Sequence, residues 1–124
     1  MPSSRIRLAS AGHPRPLLLA GQNLSDLPIQ GMLVGLSAES DYEELGIQLG
    51  HKERLILYTD GMFESAADNE SRSALKQSVE SVITATAEQP LDDAVETVMG
   101  AFDRLAGTTP NDDATMLIIE REGT

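Results

Sequence analysis

The sequence predicts an α+β fold in which antiparallel strands precede two adjacent helices and a last strand. Short alternating or continuous apolar segments fill the first half of the 124-residue chain and are typical of strands. The apolar period then changes to that of a helix. One segment, Arg54–Thr59, is almost continuously apolar, which indicates burial on both faces, as in the inner layer of a sandwich covered by helices.

The first two strands are predicted from alternation and from the turn residues between them. Ile6, Leu8 and Ser10 alternate with arginine or alanine, a pattern that favours a half-buried strand. A turn rich in glycine and proline, residues 11–16, leads to a second apolar segment at Leu17–Ala20. These two strands are expected to form a hairpin.

The middle of the chain, residues 21–44, is predicted to be mostly irregular. Short edge strands are expected at 27–29 and 32–34, since Pro28 cannot occupy a central strand. A further alternating strand is predicted at 45–49, with a turn at its end before the buried strand that starts at Arg54.

Two amphipathic helices are predicted after residue 70. The first covers about 71–87, and the second starts near Pro90, which suits a first helical turn. Gly107 is a natural stop for the second helix. The chain then closes with an apolar strand at Thr115–Glu120.

Composition excludes several classes of partner. A formal net charge of −11 argues against nucleic acid and against an anionic membrane surface, because like charges repel. The absence of cysteine excludes disulfides, thiolate metal sites and cysteine nucleophiles. The sequence contains neither an apolar stretch of about 20 residues, which could span a bilayer, nor an N-terminal secretion signal. A cytoplasmic protein is expected.

Two acidic motifs border apolar strands. Asp60-Gly61 ends the buried strand, and Asp112-Asp113 precedes the last strand. Asp-Gly and Asp-Asp are also ordinary turn residues, because aspartate bonds to nearby backbone and glycine accepts positive φ. Carboxylates at the rim of a rigid sheet can also bind a hard metal ion. The residues alone leave both interpretations open.

Three segments together carry a family resemblance: Ala9–Leu19, Leu55–Glu64 and Asn111–Leu117. They are similar to an Ala-Gly-His-Pro hairpin, a Tyr-Thr-Asp-Gly segment and a closing Asp-Asp-x-Thr motif. With two helices between the second and third, they resemble the C-terminal half of the metal-dependent PPM (type 2C-like) serine/threonine phosphatases. The branch they resemble is the stage II sporulation protein E-like group, and the resemblance covers nearly all of residues 1–124.

The resemblance implies a β-sandwich flanked by helices, the four-layer αββα phosphatase fold, with two Mn²⁺ or Mg²⁺ ions in an acidic cleft. It implies metal-site positions at Asp60, Gly61, Asp112 and Asp113, with Asp60 and Asp112 as the principal ligands. No separate catalytic side chain is implied, because a metal-activated water attacks the phosphate. The substrate would be a phosphoserine or phosphothreonine protein of sigma-factor regulation, such as an anti-sigma factor antagonist.

The family's upstream Asp-Val-x-Gly-His-Gly type segment has no match in this sequence. We therefore expect the chain to represent an incomplete C-terminal portion of the phosphatase fold. Strands that the missing portion would cover are expected to expose apolar surface and open edges, through which the chain could self-associate. The alternative function is a catalytically incomplete signalling or binding module of the same fold.

Overall fold

The computed structural model describes residues 5–9, 14–29, 44–59, 69–106 and 115–122. Along these residues the elements follow in this order: β1 (Arg5–Ala9), β2 (Leu17–Ala20), β3 (Asn23–Asp26), β4 (Glu44–Gln48), β5 (Arg54–Tyr58), α1 (Asn69–Ala85), α2 (Leu91–Ala106) and β6 (Met116–Glu120). The predicted strand–helix–helix–strand order is confirmed. No helix in the described ranges is both long and apolar enough to cross a membrane.

The strands form two antiparallel sheets. One contains β1 and β4, and the other has four strands in the order β3-β2-β5-β6. The predicted hairpin of β1 with β2 is therefore wrong, because the two strands lie in different sheets. Leu17 and Leu19 are both buried, and Leu18 packs on the opposite face. A strand covered on both faces needs a central place, which β2 finds between β3 and β5.

A strand that the sequence did not predict is β3. Its residues are mostly polar, and Leu24 is the single apolar side chain among them. A two-residue turn with Gly21 at φ 63° folds this segment back onto β2. Positive φ at that position suits the tight hairpin turns that match strand twist. Residues 27–29 are not a strand, while the expected strand at 32–34 lies outside the described residues.

The largest apolar cluster lies between the four-stranded sheet and the helix pair. It joins side chains of β2 and β5 to one face of each helix: Leu17, Leu19, Ile56, Tyr58, Leu75, Val79, Ile83, Val98 and Phe102. Burial of alternate residues on the strands and every third or fourth residue on the helices confirms both predicted periods. The amphipathic helices thus cover one face of the sheet.

A second apolar cluster joins the two sheets. Leu27, Ile29, Leu49 and Leu55 are buried in it, with partly buried side chains of β1, β2 and β4 packed around them. Strand β5 is therefore buried on both faces, as its continuous apolar sequence predicted. The described residues form three layers in the order helices, four-stranded sheet, two-stranded sheet.

The last strand is covered on one face only. Met116 and Ile118 pack against the helix-side cluster. Leu117 and Ile119 point to the other face and are 54% and 39% exposed. These two side chains form a small exposed apolar surface beside the two-stranded sheet. Large apolar side chains in a sandwich are usually covered, so this surface is a candidate contact site.

Candidate metal centre

The facing ends of β5 and β6 are joined by a threonine pair. Beyond the last strand pair, Tyr58 with Met116, the Thr59 N–H donates to the Thr115 carbonyl at 3.0 Å. The Thr115 N–H donates in return to the Thr59 hydroxyl oxygen at 2.9 Å. A threonine suits this position because its hydroxyl lies close to its own backbone and can replace a carbonyl acceptor. The two chain ends are therefore held side by side.

Few residues separate the predicted metal positions from this threonine pair in the sequence. Asp60 follows Thr59 directly in the sequence, and Asp113 and Asp112 come two and three positions before Thr115. These aspartates, together with Gly61, lie outside the described residues. Their roles as metal ligands accordingly stay predictions, and the structure shows where the strands that carry them end.

The opposite end of β5 is fixed by a buried arginine that the sequence analysis missed. Arg54 is 2% exposed, and its Nε donates to Glu120 Oε2 of β6 at 2.6 Å. Its two terminal nitrogens donate to the backbone carbonyls of Thr86 and Gln89, in the connection between the helices. Arg54 thus ties the sheet to the helix layer. The sequence did contain an indication of this role, because Arg54 is the first residue of a strand predicted to be buried. A buried arginine needs hydrogen-bonding partners.

The Glu53 carboxylate shapes the turn that leads into β5. Its Oε1 accepts from the Gly50 N–H, and the Glu53 N–H donates to the Gly50 carbonyl. Lys52 within this turn has φ 61°, and its N–H donates to the Arg121 carbonyl, beyond β6. The turn predicted before β5 is confirmed, and it adds a further connection between β5 and β6.

Acidic side chains elsewhere do not form a competing site in the described ranges. Within them, no group of three or more histidine, cysteine, aspartate or glutamate side chains could hold a metal ion. Asp92 and Asp93 are exposed in the first turn of α2, where carboxylates favour the positive end of the helix dipole. Burial raises the pKa of Glu80 on α1, and Asp26 raises it further while Lys76 opposes them.

Known proteins similar to this chain share its fold. The family model described as stage II sporulation protein E (SpoIIE) matches residues 1–122. The chain is 22% identical to phosphoserine phosphatase RsbU of Bacillus subtilis (strain 168), over 98% of this chain and 36% of RsbU. The structure of the RsbU and RsbW domains of Rv1364c from Mycobacterium tuberculosis matches with a TM-score of 0.79 and 24% identity, over 98% of this chain and 35% of that one.

A third similar structure contains the PP2C phosphatase domain and a fragment of the regulatory domain of the cell fate determinant SpoIIE from Bacillus subtilis. It matches with a TM-score of 0.75 and 17% identity, over 97% of this chain and 35% of that one. This chain therefore spans only a little over a third of the length of these relatives. The sequence and the architecture agree that the chain belongs to the stage II sporulation protein E family and has part of the PP2C phosphatase fold.

Proposed function

We propose that this chain provides one side of the dinuclear metal site of a protein serine/threonine phosphatase. The observation that carries the proposal is the hydrogen-bonded pair of Thr59 and Thr115. Consecutive Cα atoms are about 3.8 Å apart, and each further residue adds at most about 3.6 Å. Asp60 and Asp112 are one and three residues from this pair. Both carboxylates are thus tethered within reach of one small volume.

The donor set fits the proposed ions. Asp60, Asp112 and Asp113 offer carboxylate oxygens, which Mg²⁺ and Mn²⁺ prefer to nitrogen or sulfur ligands. Two bound ions would activate a water for attack on the phosphorus and screen the phosphoryl oxygens. This sequence has no cysteine, so none of its own residues could form a phosphocysteine intermediate.

The described residues would hold the metal ligands in position. The threonine pair fixes how far apart the two strand ends lie, and Arg54 holds the far end of β5 against β6 and the helix layer. A metal site requires its ligands to be held to within about 0.5 Å, which strand ends achieve better than free loops. Asp60 and Asp112 would bind the ions, Asp113 would add a third carboxylate, and Gly61 would contribute backbone atoms only.

The proposed substrate is a phosphoserine or phosphothreonine in a bacterial regulatory protein of the cytoplasm. Support comes from the names of the relatives, which include a phosphoserine phosphatase and a cell fate determinant. The partner proposed from the family resemblance is an anti-sigma factor antagonist. A strongly acidic chain, with a net charge of −11, would rely on its metal ions to attract an anionic phosphate.

The alternative is a catalytically incomplete module that binds a signalling partner. It is kept because this sequence matches only the C-terminal motifs of the family, and these alone do not make a complete dinuclear site. Calorimetry with Mn²⁺ separates the two proposals. Binding that needs both Asp60 and Asp112 supports a metal site, whereas no binding at millimolar Mn²⁺ supports the non-enzymatic module.

The direct test of the activity is Mn²⁺-dependent hydrolysis of a phosphoserine peptide by the full-length protein that contains this chain. Asp60→Asn and Asp112→Asn should each reduce the rate to near background, because an amide oxygen is a weaker and uncharged ligand. Asp92→Asn is the matched control, since it removes an exposed carboxylate on α2. Equal rates in the wild type and Asp60→Asn would refute the proposal.

A further inference from the structure

Along the outer edge of β3, some backbone hydrogen-bonding groups have no partner among the described residues. The Leu27 N–H donates to the Pro16 carbonyl, which identifies that facing pair as hydrogen-bonded. Such pairs alternate along an antiparallel ladder, so Ser25 also bonds inward to β2. The N–H and C=O groups of Leu24 and Asp26 then point away from the sheet. Neither residue has a backbone partner on that side among the described residues.

An open groove follows this edge. It has a volume of about 560 Å³ and is lined by residues 22–24 of the hairpin and by Gln77, Glu80, Ser81 and Thr84 of α1. The helical residues recur at spacings of three and four, so they form one face of α1 opposite the strand edge. The lining is mostly amide, hydroxyl and carboxylate groups, which suit a polar backbone better than an apolar ligand.

The groove is also electrostatically incomplete. Burial raises the pKa of Glu80, and the nearby Asp26 raises it further. Lys76 Nζ lies 3.9 Å from the Glu80 carboxylate, and no other ion pair involves Glu80 or Asp26 within the described part. The Glu80 carboxylate therefore has one long ion pair, and the Asp26 carboxylate has none within the described residues. A further cation placed here would gain from both of them.

We propose that the outer edge of β3 is a docking site for an extended segment of a partner protein that carries a lysine or arginine. The backbone of that segment would pair with the outward groups of Leu24 and Asp26, adding a strand to the four-stranded sheet. Its cationic side chain would lie between Asp26 and Glu80. A second copy of this chain is a poor occupant, because its own β3 edge would bring another aspartate to the same place.

The orientation of β3 gives this docking site a direction. Leu17 of β2 faces Asp26 on one side and Ile56 of β5 on the other. The Asp26 end of β3 therefore lies toward the same end of the sheet as Thr59. A docked segment would run along the sheet toward the candidate metal edge, about 14 Å to the side of β5 if each strand adds about 4.8 Å.

The test is a titration of the ¹⁵N-labelled full chain with the peptide acetyl-Thr-Val-Lys-Val-Thr-amide, followed by amide chemical shifts. We expect the largest shift changes at Leu24 and Asp26. Asp26→Asn and Glu80→Gln should each weaken binding about threefold to tenfold, as loss of one charged contact implies. Asp92→Asn should leave the affinity unchanged. Unperturbed shifts elsewhere in the sheet report that each variant is folded.

Two further peptides separate strand pairing from simple charge attraction. Replacing the peptide lysine by glutamate should abolish binding, because Glu80 lines the groove and Asp26 lies near it. Methylating two backbone nitrogens of the lysine peptide should also abolish it, since a methylated amide cannot donate to β3. Shift changes confined to other surfaces, no saturation at millimolar peptide, or equal binding of the lysine and methylated peptides would each overturn the proposal.

Discussion

Replacing Arg54 with methionine should destabilise the chain by about 3–5 kcal/mol. The substitution leaves the Glu120 carboxylate and the Gln89 carbonyl without their donor, whereas the Thr86 carbonyl still accepts from the Gln89 N–H. Each buried polar group left unsatisfied costs about 1–3 kcal/mol, so two groups would cost about 2–6 kcal/mol. A cavity of about 170 Å³ beside Arg54 lets water reach some of these groups, which keeps the expected loss below the upper end of that range.

The assay is urea unfolding followed by circular dichroism. The midpoint should fall while the slope stays constant, because the substitution changes stability and not the surface exposed on unfolding. Arg15→Met is the matched control, since Arg15 is exposed, and it should change stability by less than about 0.5 kcal/mol. The double variant Arg54→Met/Glu120→Met should recover part of the lost stability, because two apolar side chains leave no buried charge without a partner.

Two results would contradict this reasoning. If Arg54→Met lowered the free energy of unfolding by less than about 1 kcal/mol, the Arg54–Glu120 ion pair would be no stronger than an ordinary surface ion pair. Strictly additive effects of the Arg54 and Glu120 substitutions would show that the two side chains do not depend on each other.

Three further predictions concern other parts of the molecule. Thr59→Val should cost about 1 kcal/mol by removing the acceptor of the Thr115 N–H, whereas Thr59→Ser should restore it, as urea unfolding would show. Glu80→Gln should raise the melting temperature, and the increase should be largest at a pH above the raised pKa of Glu80. At that pH the wild-type carboxylate is charged in the folded state, which burial disfavours. In acid the carboxyl group is neutral, so the increase should be smallest. A difference independent of pH would contradict this assignment. Threonine at both Leu117 and Ile119 should lower the mass measured by light scattering if their exposed face drives self-association, and an unchanged mass would exclude it.

The sequence predicted elements best where burial imposes a repeating pattern. Strand β5 is apolar throughout because both of its faces are covered, and the two helices show one apolar face each. Strand β3 escaped prediction because an edge strand needs few apolar side chains, and its place is set by the turn at Gly21. The β1–β2 hairpin was wrong because adjacent strands can separate into two sheets, which local patterns do not distinguish.

The sequence predicted acidic ligands for the candidate site, which stay predictions, but it did not predict the side chains that hold the adjoining strands together. Two acidic motifs beside apolar strands pointed to one edge of a sheet, and β5 and β6 do pair there. The hydroxyl of Thr59 that joins the strand ends left no periodic signal, since threonine is common in strands. The partners of Arg54 are backbone carbonyls far away in sequence, and no side-chain pattern encodes them.

The central claim is that Asp60 and Asp112 belong to a single metal site at the joined ends of β5 and β6. Paramagnetic broadening by substoichiometric Mn²⁺ tests it most directly in the ¹⁵N-labelled chain. The amide signals of Thr59 and Thr115 should broaden together, and either Asp60→Asn or Asp112→Asn should abolish the broadening at both. Broadening at one threonine only, or broadening at both that survives either substitution, would contradict a shared site.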